Sequence, residues 1–322
     1  MRSRNLYAGL FFVTLSTLMY EILLTRIFSV TMWYHFAFLA ISICMFGMTV
    51  GACIIYLFPK FFTNEKIYFH LALGTFLFST SIVFSFLTHL CIPFNSNYDL
   101  MSVFSIGLNY FIVSIPFIFS GIVVTLILTK FPEDISKLYA IDLAGASIGC
   151  ITLIFLLNIT GDAPTTIFIV AWFASISSIL FAINKGFQRL FKYSTLLSIV
   201  LLIFALLNIY LQNSNKHLIK LTYVKGEIEK ESEFEKWNSF SRIKIYPQTE
   251  DVRKTYGWGI SSTYPKDKEI DQYKLDIDAS AATFLTKFSG DFNRLDHLRY
   301  DVTNIVHWRE KNKLAFEKKH DK

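Results

Sequence analysis

The sequence predicts a mainly α protein, a multi-span transmembrane domain of about seven helices followed by a small α+β soluble domain. Two observations carry this prediction. The 322 residues are 53% hydrophobic and only 17% charged, which excludes an ordinary soluble domain. Charge is also unevenly placed: residues 1–212 hold 10 Lys/Arg and 7 Asp/Glu, and residues 213–322 hold 21 and 18. The composition therefore divides the chain into a membrane domain, 1–212, and a β-rich domain, 213–322. Both halves carry the same small positive excess, which argues against a nucleic-acid partner.

A hydrocarbon core of ~30 Å needs ~20 apolar helical residues. Seven stretches qualify: Leu6–Ile27, Tyr34–Leu57, Ile67–Ile92, Val103–Thr129, Leu138–Ile159, Thr165–Ile183 and Tyr193–Leu211. The second, third and fourth lie in charge-free runs, while the first and fifth carry charges. The first span has no small-residue cleavage site behind it and reads as a retained helix rather than a signal peptide. Arg2, Arg4, Lys60, Lys66, Lys130, Lys137, Lys185, Arg189 and Lys192 fall on one side of these spans and only Arg26 on the other. This places the N-terminus in the cytoplasm and the protein in the plasma (inner) membrane. Seven crossings would put the tail outside, in conflict with a cytosolic role for it, and its side stays open.

In the tail, Arg242–Tyr246 and Lys274–Asp278 alternate as short strands. Leu295, Leu298, Val302, Ile305 and Val306 repeat at helical spacing, predicting a helix that packs one face on those strands.

Ionisable groups inside spans are costly, which makes Glu21, Arg26 and Asp142 functional candidates. Arg26 lies near a span end and can snorkel to water. Glu21 lies deeper and needs a partner, and an Arg26 pair with Glu21 or Asp142 is one arrangement. His35, His70 and His89 read as interfacial anchors. Gly47 and Gly51, and Gly145 and Gly149, form two G-x-x-x-G patterns that read as helix packing. Pro116 predicts a kink in the fourth span. Four cysteines without a C-x-x-C pair, and no H-E-x-x-H spacing, give no support for disulfides or a metal site. No G-x-G-x-x-G turn or nucleophile triad can be picked out.

Several segments together resemble the membrane-embedded relatives of spermidine synthase, the polyamine aminopropyltransferases with a multi-span domain ahead of the soluble enzyme. They are Tyr20-Glu-Ile-Leu-Leu-Thr-Arg26, Trp33-Tyr-His-Phe36, Phe46–Gly51, Leu138–Gly149, Trp237–Arg242, Gly257-Trp-Gly259, Ile277–Thr283 and Leu298–Thr303. The resemblance implies that the tail is the β-rich N-terminal part of the enzyme region. It also implies decarboxylated S-adenosylmethionine as the cofactor of the full-length family, held by an α/β domain after the helix matching Leu295–Trp308. Lys311–Lys322 is too short and polar for that domain, so the chain is expected to be truncated or split and inactive alone, with no cofactor of its own. The resemblance further places Asp278, Tyr300 and Asp301 where an amine could be held; equally, Asp278 caps a turn while Tyr300 and Asp301 ride a packed or solvated face. The competing expectations are a membrane binder or carrier of polyamines or another cation through Glu21 and Asp142, and a scaffold for a separate cofactor-binding chain. Expected partners are the lipid bilayer and either that separate chain or a second copy.

Overall fold

The structure is a computed structural model that describes residues 2–92, 94, 99–183, 187–212, 218–254, 259–265 and 267–304. Among these are seven helices long and apolar enough to cross a membrane. They are α1 (Arg2–Thr31), α2 (Tyr34–Leu57), α3 (Ile67–Cys91), α4 (Leu100–Lys130), α5 (Ile135–Thr160), α6 (Ala163–Ile183) and α7 (Gln188–Gln212). The protein is a mainly α, multi-pass membrane protein. Each predicted span falls within or almost wholly on one helix. α1 and α4 extend beyond the predicted ends, and α4 runs unbroken through Pro116.

The chain forms two compact units. The helical unit contains residues 1–229 and 237–241, and the second unit contains 230–236 and 242–322. The compositional boundary after residue 212 marks the end of α7, whereas the helical unit also takes in the chain to Glu229.

α1 is the axis of the helical unit and packs against α2, α4, α5 and α6. Leu10, Val13, Met19, Tyr20, Leu23, Ile27 and Phe28 are fully buried on about half of its circumference, while Leu18, Glu21, Ile22 and Thr25 on the other side are part-exposed. The seams depend on missing side chains. A Cβ on Gly149 would stand 2.7 Å from the Leu15 carbonyl oxygen, and one on Gly145 would stand 2.6 Å from the Phe11 carbonyl oxygen, both on α1. A Cβ on Gly47 would stand 2.8 Å from the Ser114 carbonyl oxygen of α4, and one on Gly121 of α4 would stand 2.5 Å from the Met48 carbonyl oxygen of α2. Residue numbers rise together along both seams, so α1/α5 and α2/α4 are parallel pairs. Both G-x-x-x-G patterns are packing faces.

Hydroxyl groups join the remaining seams. Thr17 and Ser120 are 2.5 Å apart, Tyr20 and Ser85 2.6 Å, and Ser178 and Ser194 2.7 Å. Ser79 donates to the Ala171 carbonyl, Ser178 to that of Ala72 and Ser177 to that of Gly9. At the α5/α6 turn the Asp162 carboxylate caps α6 by accepting from the Thr165 amide at 2.8 Å. Asn208 of α7 donates to the Thr165 hydroxyl and accepts from the Leu218 amide at 3.0 Å. A short hairpin follows, β1 (Tyr223–Val224) and β2 (Glu227–Ile228), turned by Lys225 and Gly226 at positive φ. The Lys225 amide donates to the Thr31 carbonyl at the end of α1.

The second unit is built on an antiparallel sheet in the order β3 (Phe234–Trp237), β4 (Arg242–Ile245), β5 (Gln272–Ile277) and β6 (Ala281–Thr286), with one turn of helix, α8 (Glu250–Arg253), between β4 and β5. The two strands expected from alternation match β4 and β5. The helix expected after Gly290 does not form as such. Two 3₁₀ stretches, Phe292–Tyr300 and Val302–Asn304, take its place, with non-helical angles at Leu295. Val302 is 60% exposed and Leu295 and Leu298 are half-buried, so the expected stripe is not a buried face. Its remaining members, Ile305 and Val306, lie outside the described residues.

Replacing Gly51 or Gly149 with Leu drives a side chain into a facing backbone and should cost about 1–3 kcal/mol, read as a thermal midpoint lowered by several degrees in detergent. Gly107 has nothing within 4 Å of a built Cβ. Gly107→Ala should therefore match the parent or gain about 0.5–1 kcal/mol from helix propensity. A Gly149→Leu variant as stable as the parent would refute the close-packed seam.

Candidate functional site

Glu21 and Arg26 are five residues apart on α1, about 7.5 Å in rise but ~140° around the axis, so they face different neighbours. The Arg26 Nη1 donates to the Phe240 carbonyl at 3.0 Å, and its Nε is buried without a partner. The expected pair with an acid is thus replaced by a backbone carbonyl. Asp142 is also too distant to serve. The register that sets Gly145 against Phe11 places Asp142 level with residue 8, about 27 Å along α1 from Arg26.

Glu21 is half-buried and hydrogen-bonds the Cys44 thiol of α2, with Cys150 of α5 in electrostatic reach. Asp142, on the α5 stripe with Leu138, Gly145 and Gly149, is half-buried, and no hydrogen bond or ion pair reaches it among the described residues. The two acids are therefore separate features on one side of α1, about 20 Å apart in rise, and not one binding constellation.

The sequence reading missed the polar centre of the helical unit. His89, expected as an interfacial anchor, is 5% exposed. Its Nε2 lies 3.1 Å from the Thr31 hydroxyl of α1 and its Nδ1 3.0 Å from the Asn109 Oδ1 of α4, while its ring packs on Phe28 at 5.2 Å. One imidazole joins three helices. Beside it Thr31, His89, Leu90, Ile92, Phe94 and Tyr223 line a recess of about 10 Å³, room for one water. His70 is likewise buried, among the rings of Phe61, Phe62 and Phe69, whereas His35 is exposed as an anchor should be. The signal available was a polar residue at each of three span ends, Thr31, His89 and Asn109.

In the second unit Asp278 sits at positive φ in the β5–β6 turn, and its Oδ1 accepts from the Arg242 amide at 2.8 Å. Asp301 accepts from the Thr303 amide at 2.9 Å and hydroxyl at 2.8 Å. Both carboxylates thus perform local capping. Tyr300 is 41% exposed, and its ring lies 5.0 Å from that of Tyr264. The Lys268 ammonium sits 5.5 Å from the Tyr264 ring, which together with Asp296 holds its pKa up. A neighbouring lysine of this kind opposes a second cation at Tyr300. Backbone bonds do unite two of the resembling segments: Ser261 donates to the Tyr300 carbonyl at 2.8 Å, and Val302 to that of Gly259 at 2.9 Å. Gly257, the other glycine of that segment, lies outside the described residues. Gly259 lies against Asp301 and Val302, and Gly290 stands in the loop after β6 with nothing within 4 Å of a built Cβ.

The sheet has an inverted pattern. Arg242, Lys244, Gln272 and Asp276 are buried, Arg242 bonded to Glu235 at 2.8 Å, and Lys244 directly paired with Asp276 across the ladder. The opposite face is mostly apolar: Phe234, at 48%, and Leu285, at 45%, are exposed with Ile277, Lys236 and Thr283, while Ile243, Ile245, Tyr273 and Leu275 are half-buried. No group of three or more His, Cys, Asp or Glu side chains suited to a metal occurs among the described residues. Comparisons of the chain with known protein families, characterised proteins and solved structures returned no match.

Truncating Asn109 to Leu leaves a buried imidazole nitrogen without its partner and should lower stability by about 1–3 kcal/mol, measured by thermal unfolding in detergent. His297 is buried near β6, where its Nε2 lies 3.1 Å from the Thr286 hydroxyl, and burial lowers its pKa. The unfolded chain therefore binds a proton that the folded unit resists, and stability is lost as pH falls below about 6.5. Hydrogen exchange at β6, corrected for intrinsic rates, should accelerate from pH 7.5 to 5.5, and His297→Gln should flatten that dependence.

Proposed function

We propose that this chain is a membrane-held platform for aminopropyltransferase-like chemistry: the helices anchor it, and the small sheet docks a cofactor-binding α/β domain that the described residues do not supply. The observation that carries this reading is the inverted sheet. A free-standing sheet turns apolar residues inward and polar ones out; here a mostly apolar face from Phe234 to Leu285, with Lys236 and Thr283 on its edge strands, is left partly exposed while Arg242, Lys244 and Asp276 are buried. Such a face suits a covering layer of helices, as in the two- and three-layer architectures of α/β proteins. The element order supports the same reading, since seven spans followed by antiparallel strands is the arrangement that the resemblance to membrane-embedded spermidine synthase relatives implies. The plasma (inner) membrane with a cytoplasmic N-terminus follows from the excess of Lys/Arg on one side of the spans.

In this proposal the chain positions and does not catalyse. Asp278 and Asp301 shape their turns, and amine recognition falls to residues of the docked domain. The carrier reading through Glu21 and Asp142 gains less support, because the two acids are ~20 Å apart and the α1/α5 seam between them is closed by backbone contact at Gly145 and Gly149.

The purified full chain in nanodiscs, given decarboxylated S-adenosylmethionine and putrescine, should transfer no aminopropyl group. Equilibrium dialysis with labelled putrescine should show no saturable binding below millimolar concentration. Transfer by the chain alone, or putrescine binding abolished by Asp278→Asn or Asp301→Asn, would overturn the platform reading in favour of an enzyme or amine binder.

A further inference from the structure

Glu21 is the deepest acid of the helical unit whose carboxyl is still partly exposed, and among the described residues no base pairs with it. It lies ~7 Å from the midpoint of α1 and ~9 Å inside the end of the apolar stretch Leu6–Ile27. α2 and α5 both pack on α1 but not appreciably on each other, and between them Glu21 lies on a part-exposed stripe of α1 with Leu18, Ile22 and Thr25, its carboxyl near Cys44 of α2 and in electrostatic reach of Cys150 of α5. Both flanking helices expose much of their surface, including Ile41 and Met45 on α2 and Ile151 and Ile154 on α5. The Cys44 thiol is a weak donor and leaves most of the carboxylate's hydrogen-bonding capacity unused.

From this geometry we infer that the stripe of α1 between α2 and α5 receives a transmembrane helix of another protein that carries a Lys or Arg at the depth of Glu21. The argument rests on charge complementarity in a medium without water. A carboxylate facing lipid is costly, and acids in membrane helices pair with bases or backbone groups. Lipid ammonium groups stay at the interface and do not reach this depth. A second copy is unsuited, because Arg26, its one basic residue embedded on that side, is already held by the Phe240 carbonyl. The flanking faces of α2 and α5 are apolar helix surface, which packs against another helix and not against a hydrated ion.

The test uses the full chain in nanodiscs and a labelled 22-residue Leu/Ala helix with a single Lys placed ~7 Å from its midpoint, compared with the same peptide carrying Gln. The Lys peptide should associate about tenfold more tightly by energy transfer, the increment expected of one pairing of this kind. Glu21→Gln should remove that preference with the thermal midpoint unchanged, and Glu21→Asp should restore part of it. Asp142→Asn, far along the seam, should leave it intact. Equal association of the two peptides, or none, overturns the inference, as does labelled spermidine binding that depends on Glu21 without peptide association, which would favour the carrier. None of these outcomes bears on the sheet, so the platform reading stands or falls separately.

Discussion

The helical unit depends on close backbone approach to α1. In lipid there is no hydrophobic drive between helices, so association must come from van der Waals contact at short range and from polar groups that satisfy one another. Gly145 and Gly149 supply the first by letting α5 touch the α1 backbone, and Gly47, Gly51 and Gly121 do the same for α2 and α4. The second comes from a series of bonds along α1: Ser177 to the Gly9 carbonyl, Thr17 with Ser120, Tyr20 with Ser85, and Thr31 with His89. Each is a single contact, but they occur at successive levels of the bundle and fix the rotation of α1 against α6, α4 and α3. A central helix that bonds to several neighbours at different heights cannot turn or slide without breaking bonds that lipid will not replace.

The same constraint explains what could be read from the sequence and what could not. Spans were legible because hydrocarbon thickness sets their length, and the glycine pairs because a missing side chain at i and i+4 has one common use in a membrane helix. His89 was misread because position along a span reports depth and not direction. An imidazole at a helix end is an anchor if it faces lipid and a hub if it faces inward, and only the placement of Thr31 and Asn109 decides between them. Strands β4 and β5 were visible through alternation, but alternation gives two faces without saying which is covered. The row Leu295, Leu298 and Val302 had helical spacing, yet a periodicity of three to four is equally met by 3₁₀ turns separated by a break.

The buried polar face of the sheet has a physical cost that is largely offset. Arg242 is bonded to Glu235, the Gln272 amide to the Val252 and Lys254 carbonyls, and Lys244 to the Lys230 carbonyl. Asp276 is held by Lys274 at 3.7 Å but keeps one buried oxygen without a partner. Such a network specifies one arrangement of the strands more than it stabilises them. The apolar half of the sheet is where burial would contribute at about 25 cal/mol per Å², and in the described unit that contribution is incomplete.

The three ionisable groups of the spans illustrate how a bilayer sorts charge by what lies at each depth. Arg26, near the end of α1, finds the Phe240 carbonyl in the turn between β3 and β4 and needs no acid. Asp142 is one turn before the glycine contact that closes the α1/α5 seam and is half-buried there. Glu21 differs from both. It lies deep in its span and is not enclosed, with the Cys44 thiol as its hydrogen-bond partner among the described residues. Sequence alone groups the three as charges in a membrane; the helix register separates them, because 5 residues along α1 change the face and 13 change the depth by ~20 Å, more than one leaflet. A pairing between any two of them is therefore ruled out by geometry before energetics is considered, and Glu21 is the one group of the three that lies deep and still partly exposed.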